Sequence, residues 1–153
     1  MRVGIGYDVH PLREGRHLIL GGVLLDHPTG LDGHSDADVL THAVIDALLG
    51  AAGLGDIGKL FPAGDPRFKD ASSLDLLSAA VEALRKAGYR IVNIDSTVIA
   101  EAPRLESHLQ AMRSNLCRRT GIDEVNVKAT SPEGLGVLGN QEGIAAQAVA
   151  LIE

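Results

Sequence analysis

Aromatic side chains are almost missing from this chain, which has two Phe, two Tyr and no Trp among its 153 residues. Eighteen glycines are spread along it instead. Together these point to tight turns and close backbone approaches. Cysteine is scarcer still. Cys117 stands alone, so no intrachain disulfide can form, which fits a reducing compartment and a cytoplasmic protein. Positive charge is also short, and the formal net charge of -6 argues against a general binder of nucleic acid or anionic membranes. An anionic substrate must then be held by local metals, helix ends or single basic residues. No apolar run is long enough to span a bilayer. The N-terminal MRVGIGYDVH lacks the charged-then-apolar layout of a signal peptide and reads as a strand. No linker, low-complexity segment or internal repeat interrupts the chain, so residues 1–153 read as one globular domain.

The rest is organised around the stretch from Leu31 to Pro62. Its first third is polar and titratable, and it then turns into an apolar helix. Ser35, followed three residues on by Asp38, forms a capping pattern. From Asp36 to Ala52, residues Val39, Leu40, Ala43, Val44, Ala47 and Leu48 recur at helical spacing, and Gly53 is the stop. This places His34 and Ser35 at a helix N-terminus, where free N–H groups attract anions. His42 falls within the helix, with Asp38 and Asp46 each four residues away.

Arg2 to Tyr7 reads as a strand leading into Asp8-Val9-His10. His17 to Leu25 reads as two short strands broken at Gly21-Gly22, and His17 and His27 read as loop histidines without partners. Gly55 to Pro66 holds too many breakers for a long element. It reads either as an ordinary surface loop anchored by Phe61 or as one that brings backbone N–H groups and Asp56 to a ligand. A helix from Ser72 or Ser73 to about Ala87 follows, then a strand from Tyr89 to Ala100, a helix from Arg104 to Thr120 and a strand from Val125 to Ala129. Cys117, beside the third helix's apolar stripe, reads as a packing residue. Thr130 to Gly139 is a Gly-rich loop with hydroxyls and a carboxylate, as a phosphate-contacting loop would have. Glu142 to Ile152 reads as a closing apolar helix. The expected fold is α/β: one sheet with helices packed on one face, its later strands parallel through right-handed crossovers, its other face covered by self-association.

In extended chain, Asp8 and His10 project to the same side. With His42 they make three oxygen and nitrogen donors, the pattern of a zinc that keeps one position open for substrate. Asp46, one turn beyond His42, is placed to orient its imidazole.

The chain closely resembles the 2-C-methyl-D-erythritol 2,4-cyclodiphosphate synthase family of the non-mevalonate isoprenoid pathway. The resemblance covers essentially its whole length. It is carried by GYDVHPL at Gly6 to Leu12, GHSDADVLTHAVIDALLGAAGLGDIGKLFP at Gly33 to Pro62, DPRFKDASS at Asp65 to Ser73, IAEAPRL at Ile99 to Leu105, and VNVKATSPEGLGVLGNQEGIA at Val125 to Ala145.

The resemblance implies a homotrimer with a site in each cleft between subunits. It implies one zinc per subunit on Asp8, His10 and His42, with Val9 between them beside the substrate. It implies that His34, with a catalytic role, and Ser35 meet the phosphorylated methylerythritol end. Asp56, Ile57 and Gly58, then Phe61, Pro62, Ala63, Gly64 and Asp65, would line the same side. Ala100, Glu101, Ala102, Pro103, Arg104, Leu105 and Glu106, with Ala129, Thr130, Ser131, Pro132 and Glu133, would form the cytidine and diphosphate side. Glu133 would hold a second divalent cation, magnesium or manganese, against the diphosphate. Relatives often carry Thr-Thr-Thr-Glu where this chain has Thr130-Ser131-Pro132-Glu133, and Ser131 keeps the hydroxyl implied to act in the transition state. Val137 and Asn140, also counted among the substrate-facing positions, stand where relatives often carry Phe and Arg near the trimer's central cavity. In some relatives that cavity holds an isoprenoid diphosphate, and the missing Arg argues against such binding here.

The implied reaction is attack of a 2-phosphate on the β-phosphorus of a cytidine diphosphate ester, with release of CMP. No Ser/His/Asp triad or activated cysteine is seen, and none is needed, because a phosphate monoester is already ionised near neutral pH. Two other readings compete. A non-catalytic trimeric binder of nucleotides or isoprenoid diphosphates would not need all three zinc-ligand candidates, Ser131 and Glu133. A zinc hydrolase of phosphate esters would need a base for water, and His34 is the nearby candidate.

Overall fold

The computed structural model describes all 153 residues. In chain order it forms β1 (Arg2–Glu14), β2 (Leu18–Leu20), β3 (Val23–Leu25), β4 (Thr29–Leu31), α1 (Val39–Ala52) and a one-turn α2 (Ile57–Leu60). Then come α3 (Ser73–Lys86), β5 (Ile91–Ile99), α4 (Leu109–Thr120), β6 (Val125–Thr130), a one-turn α5 (Gly136–Gly139) and β7 (Gly143–Ile152). Short 3₁₀ turns precede α3, at Pro66–Phe68, and α4, at Glu106–His108. Five strands form one sheet in the order β4-β1-β7-β5-β6, while β2 and β3 make a separate hairpin around Gly21-Gly22.

The expected architecture of a sheet with helices on one face holds, with two corrections. Glu142 to Ile152 is not a helix: β7 is the middle strand, antiparallel to both β1 and β5. Its alanines favour a helix locally, but Ile144, Ala146, Ala148, Ala150 and Ile152 alternate inward onto the core, and pairing on both edges overrides propensity. The sheet is therefore mostly antiparallel. Only β5 and β6 run parallel, joined through α4.

α1 lies across β1, β7 and β5 and is buried nearly all round, which is why its apolar pattern is broader than a stripe. It sits this low because β1 offers glycines beneath it. A Cβ on Gly6 would stand 1.9 Å from the Ala43 carbonyl oxygen, and one on Gly4 would stand 2.0 Å from that of Ala47. Gly6→Ala must push the helix off the strand that carries the site. We expect a loss of about 3 kcal/mol, read as a lower denaturant midpoint. A midpoint like that of the wild type would mean α1 has slack above β1.

The opposite face of the sheet carries Val3, Ile5, Tyr7, Val9 and Val149, each between 44% and 67% exposed. Open antiparallel faces are normally polar, so this apolar row has the character of an interface.

Candidate metal centre and substrate cavity

The helix that carries His42 starts later than its sequence suggests. Asp38, not Ser35, caps α1: its carboxylate accepts from the Thr41 N–H at 3.0 Å and the Thr41 hydroxyl at 2.7 Å. The same carboxylate accepts from the N–H groups of Gly21 and Gly22, at 2.9 and 2.7 Å, and so ties the β2–β3 turn to the helix. Asp38 is wholly buried, and burial raises its pKa. Its carboxylate fills the helix mouth, so His34 and Ser35 reach the site as loop residues and not as an anion cradle at a helix end.

Strand alternation on β1 sends Asp8 and His10 toward α1, while Val9 points to the opposite face. Asp8 Oδ2 lies 3.0 Å from His10 Nε2 and 2.9 Å from His42 Nδ1, and the two ring nitrogens are 3.3 Å apart. Tetrahedral bonds of about 2.0 Å to a metal require ligand atoms roughly 3.3 Å apart. The triangle has nearly that size, and its carboxylate and imidazoles are donors that suit zinc. The three residues chosen from sequence are thus brought together as one possible metal site.

The surroundings prepare these donors. His10 Nδ1 donates to the Asp32 carbonyl at 2.9 Å, which leaves Nε2 to face the site. Burial opposes ionisation of Asp8, but hydrogen bonds and charge from His10 and His42 outweigh it and hold the carboxyl well below the usual carboxylate range. Burial likewise opposes charging of His10, yet Asp8 wins and raises its pKa above the ordinary 6.5. A proton on His10 competes with a metal for Nε2. We therefore expect any affinity of the triangle for a metal ion to fall with acidification, beginning above the pH at which an ordinary histidine titrates, about 6.5. Chelator competition across this range checks the sign, and a pH-independent affinity would contradict it.

On His42, the far nitrogen Nε2 lies 2.8 Å from Ser73 Oγ and 3.2 Å from Ser35 Oγ. Asp46 does not orient this ring, as its spacing had suggested. Its carboxylate accepts from the Ile57 N–H at 2.7 Å and holds the start of α2 instead. Ser73 is the partner that sequence reasoning missed, because it lies 31 residues away at the start of another helix.

Above the triangle opens a cavity of about 270 Å³. Asp8, His10, His34, Ser35 and His42 form its polar side, and Ile57, Gly58, Phe61 and Ala63 form another wall. Phe68 and Leu76, which were not anticipated, complete it. The breaker-rich loop thus lines the cavity. Asp56 is turned to cap α2 through the Lys59 N–H at 2.8 Å. Asp65 is engaged with Arg67 at 2.6 Å, and Pro62 and Gly64 flank the wall residues. His34 Nε2 lies 3.5 Å from the Asp65 carbonyl oxygen.

The remaining candidates gather elsewhere, at the carboxyl ends of β5 and β6. Ser131 Oγ donates to Glu101 Oε2 at 3.1 Å and accepts from the Glu133 N–H at 2.9 Å, while the Gly134 N–H also donates to Glu101. Ala100 continues the ladder to Thr130. Val137 and Asn140 sit on and just after α5, both exposed. Along one line across the sheet, Asp8 pairs with Ala146, Ala146 with Val98 and Val98 with Ala129. Three strand spacings separate the two patches by about 14 Å.

A family model described as the YgbB family matches residues 1–153. The chain is 58% identical to the 2-C-methyl-D-erythritol 2,4-cyclodiphosphate synthase of Syntrophomonas wolfei, over all of this chain and 99% of that protein. A solved 2C-methyl-D-erythritol-2,4-cyclodiphosphate synthase in its CDP-bound form superposes with a TM-score of 0.91 at 36% identity, over 99% of this chain and all of that one. The bifunctional IspDF of Campylobacter jejuni superposes with a TM-score of 0.94 at 45% identity, and there this chain spans only 42% of the longer protein.

Proposed function

The chain belongs to the YgbB family of 2-C-methyl-D-erythritol 2,4-cyclodiphosphate synthases, and from that premise we propose how its two patches divide the work. The reaction converts 4-diphosphocytidyl-2-C-methyl-D-erythritol 2-phosphate to 2-C-methyl-D-erythritol 2,4-cyclodiphosphate with release of CMP. An oxygen of the 2-phosphate forms a bond to the β-phosphorus. The bond from that phosphorus to the bridging oxygen breaks, and its electron pair leaves with CMP.

The observation that carries the proposal is the donor triangle at the floor of a cavity with a large apolar wall. Asp8, His10 and His42 would hold zinc there, and Glu133, exposed and fixed at its backbone by Ser131, would hold magnesium or manganese. Bound cations supply positive charge to phosphate oxygens, which this acidic chain otherwise lacks. The chain's own task is placement. Ile57, Phe61 and Phe68 exclude water around the methylerythritol carbons. His34 and Ser35 stand at the cavity's polar rim, where they can hydrogen-bond the attacking phosphate. Ser131, whose hydroxyl donates to Glu101 without substrate, would turn that hydrogen to the diphosphate when it binds. Holding two anions in line is the main barrier in such a transfer, and no base is required.

A single chain keeps the two patches too far apart to share one phosphoryl centre. The exposed apolar row on β1 and β7 supplies a surface for closing copies into a ring, and a homotrimer would bring the cavity of one subunit to the Ser131 patch of the next. No helix is long and apolar enough to cross a membrane. With Cys117 its single cysteine, which fits a reducing compartment, we place the enzyme in the cytoplasm, with the nucleotide substrate as its partner. The test is an assay of CMP and the organic product together, with metal analysis. Cyclic diphosphate is the expected product. Open-chain phosphates would indicate a hydrolase, and binding without CMP release would indicate a carrier.

A further inference from the structure

The polar groups behind His42 form a continuous chain of hydrogen bonds that leads away from the cavity. Ser73 is the first residue of α3 and is fully buried. Its backbone N–H donates to Asp36 Oδ2 at 3.0 Å, and its hydroxyl donates to Asp36 Oδ1 in a short bond. Ser72, the nominal cap of α3, makes no side-chain cap bond, so Asp36 caps this helix from another segment. A carboxylate only accepts, so it fixes the Ser73 hydroxyl hydrogen on its own side. What Ser73 Oγ turns toward His42 Nε2, 2.8 Å away, is therefore a lone pair.

That direction matters because a neutral imidazole carries one hydrogen. Only with the hydrogen on Nε2 does Nδ1 present a lone pair to the triangle. Asp8, 2.9 Å from Nδ1, draws the hydrogen the wrong way for a metal ligand. From the structure we infer that Ser73 and Asp36 are positioning residues for the metal centre: their relay keeps the His42 hydrogen on Nε2 and fixes the ring plane, offsetting the pull of Asp8. Ser35 is a poorer substitute, since its oxygen is 3.2 Å from Nε2 and already accepts the Ala37 N–H at 3.2 Å.

The inference rests on the reading of Asp8, His10 and His42 as a zinc site, so zinc itself is the probe. Chelator competition gives the zinc dissociation constant of the whole protein and of three variants. Ser73→Ala and Asp36→Asn are each expected to weaken zinc binding 10- to 100-fold, the range for losing a partner behind a metal-bound histidine. Ser73→Ala keeps the backbone N–H that Asp36 caps, so its metal-free melting temperature should stay near that of wild type. Ser73→Thr keeps the hydroxyl and should restore affinity to within about threefold of wild type, well short of the loss expected without the relay. At saturating zinc, kcat of Ser73→Ala should recover. Zinc affinity in Ser73→Ala matching the wild type overturns the inference. So does a loss that is matched by an equal loss of metal-free stability and shared by Ser73→Thr, which would mark a packing role. A wild-type protein that binds no zinc overturns the metal reading itself, and this inference with it.

Discussion

His42→Ala is expected to retain no stoichiometric zinc and to lose at least about 100-fold in turnover, more than is typical for losing a partner behind the metal. Two donors would remain, Asp8 on one strand position and His10 two residues on. Neither can close the triangle from the α1 side. The fold should survive, because His42 borders a cavity already open to solvent and the helix around it is held by Val39, Leu40, Ile45, Leu48 and Leu49. Metal analysis after gel filtration, circular dichroism and a CMP-release assay on one preparation check all three statements. A variant that keeps one zinc per chain and full turnover would remove His42 from the site.

Mixing two inactive proteins should restore activity. Asp8→Ala damages the cavity patch and leaves Ser131 intact, while Ser131→Ala does the reverse. If each cleft takes one patch from each of two neighbours, random assembly of equal amounts leaves about a quarter of the clefts with both halves sound. The two variants would be unfolded and refolded together, and turnover compared with separate refolding. Recovery toward a quarter of wild-type activity supports a site built by two chains. Strict additivity in proven mixed oligomers would place the whole site within one subunit, against the 14 Å estimated across the sheet.

Much of this was legible in the sequence because it depends on local spacing. Asp8 and His10 share a side because strands alternate, and His42 enters from a helix whose apolar repeat is unmistakable. Gly21-Gly22 marked the break between β2 and β3 correctly. What stayed hidden depends on contacts far apart in the chain. The alanines of β7 look helical until a strand is available on each side. Asp46 has the right spacing from His42, but the Ile57 N–H claims it first. Asp38 replaces Ser35 as the cap because a distant pair of glycine N–H groups also converges on its carboxylate. Ser73 leaves no local signal of its link to His42. It reads only as a possible helix start, and no spacing marks Phe68 or Leu76 as part of a cavity wall.

The placement of β7 sets a schedule for synthesis. Of the five strands in the sheet β1 is made first and carries two donors of the possible metal site, yet its main sheet partner, β7, is made after the other four, with Arg2 opposite Ile152. Until β7 emerges, β1 lacks that neighbour and β5 lacks its antiparallel partner. The helices can form as they appear, but the sheet cannot zip up from its centre. Pairing of β1 with β7 raises contact order, so folding should be slow for a domain of this size and should complete only once β7 has emerged. In that interval the apolar β1 edge is open to chance pairing with other chains, so a nascent chain stalled before β7 should depend on chaperones far more than the finished protein does.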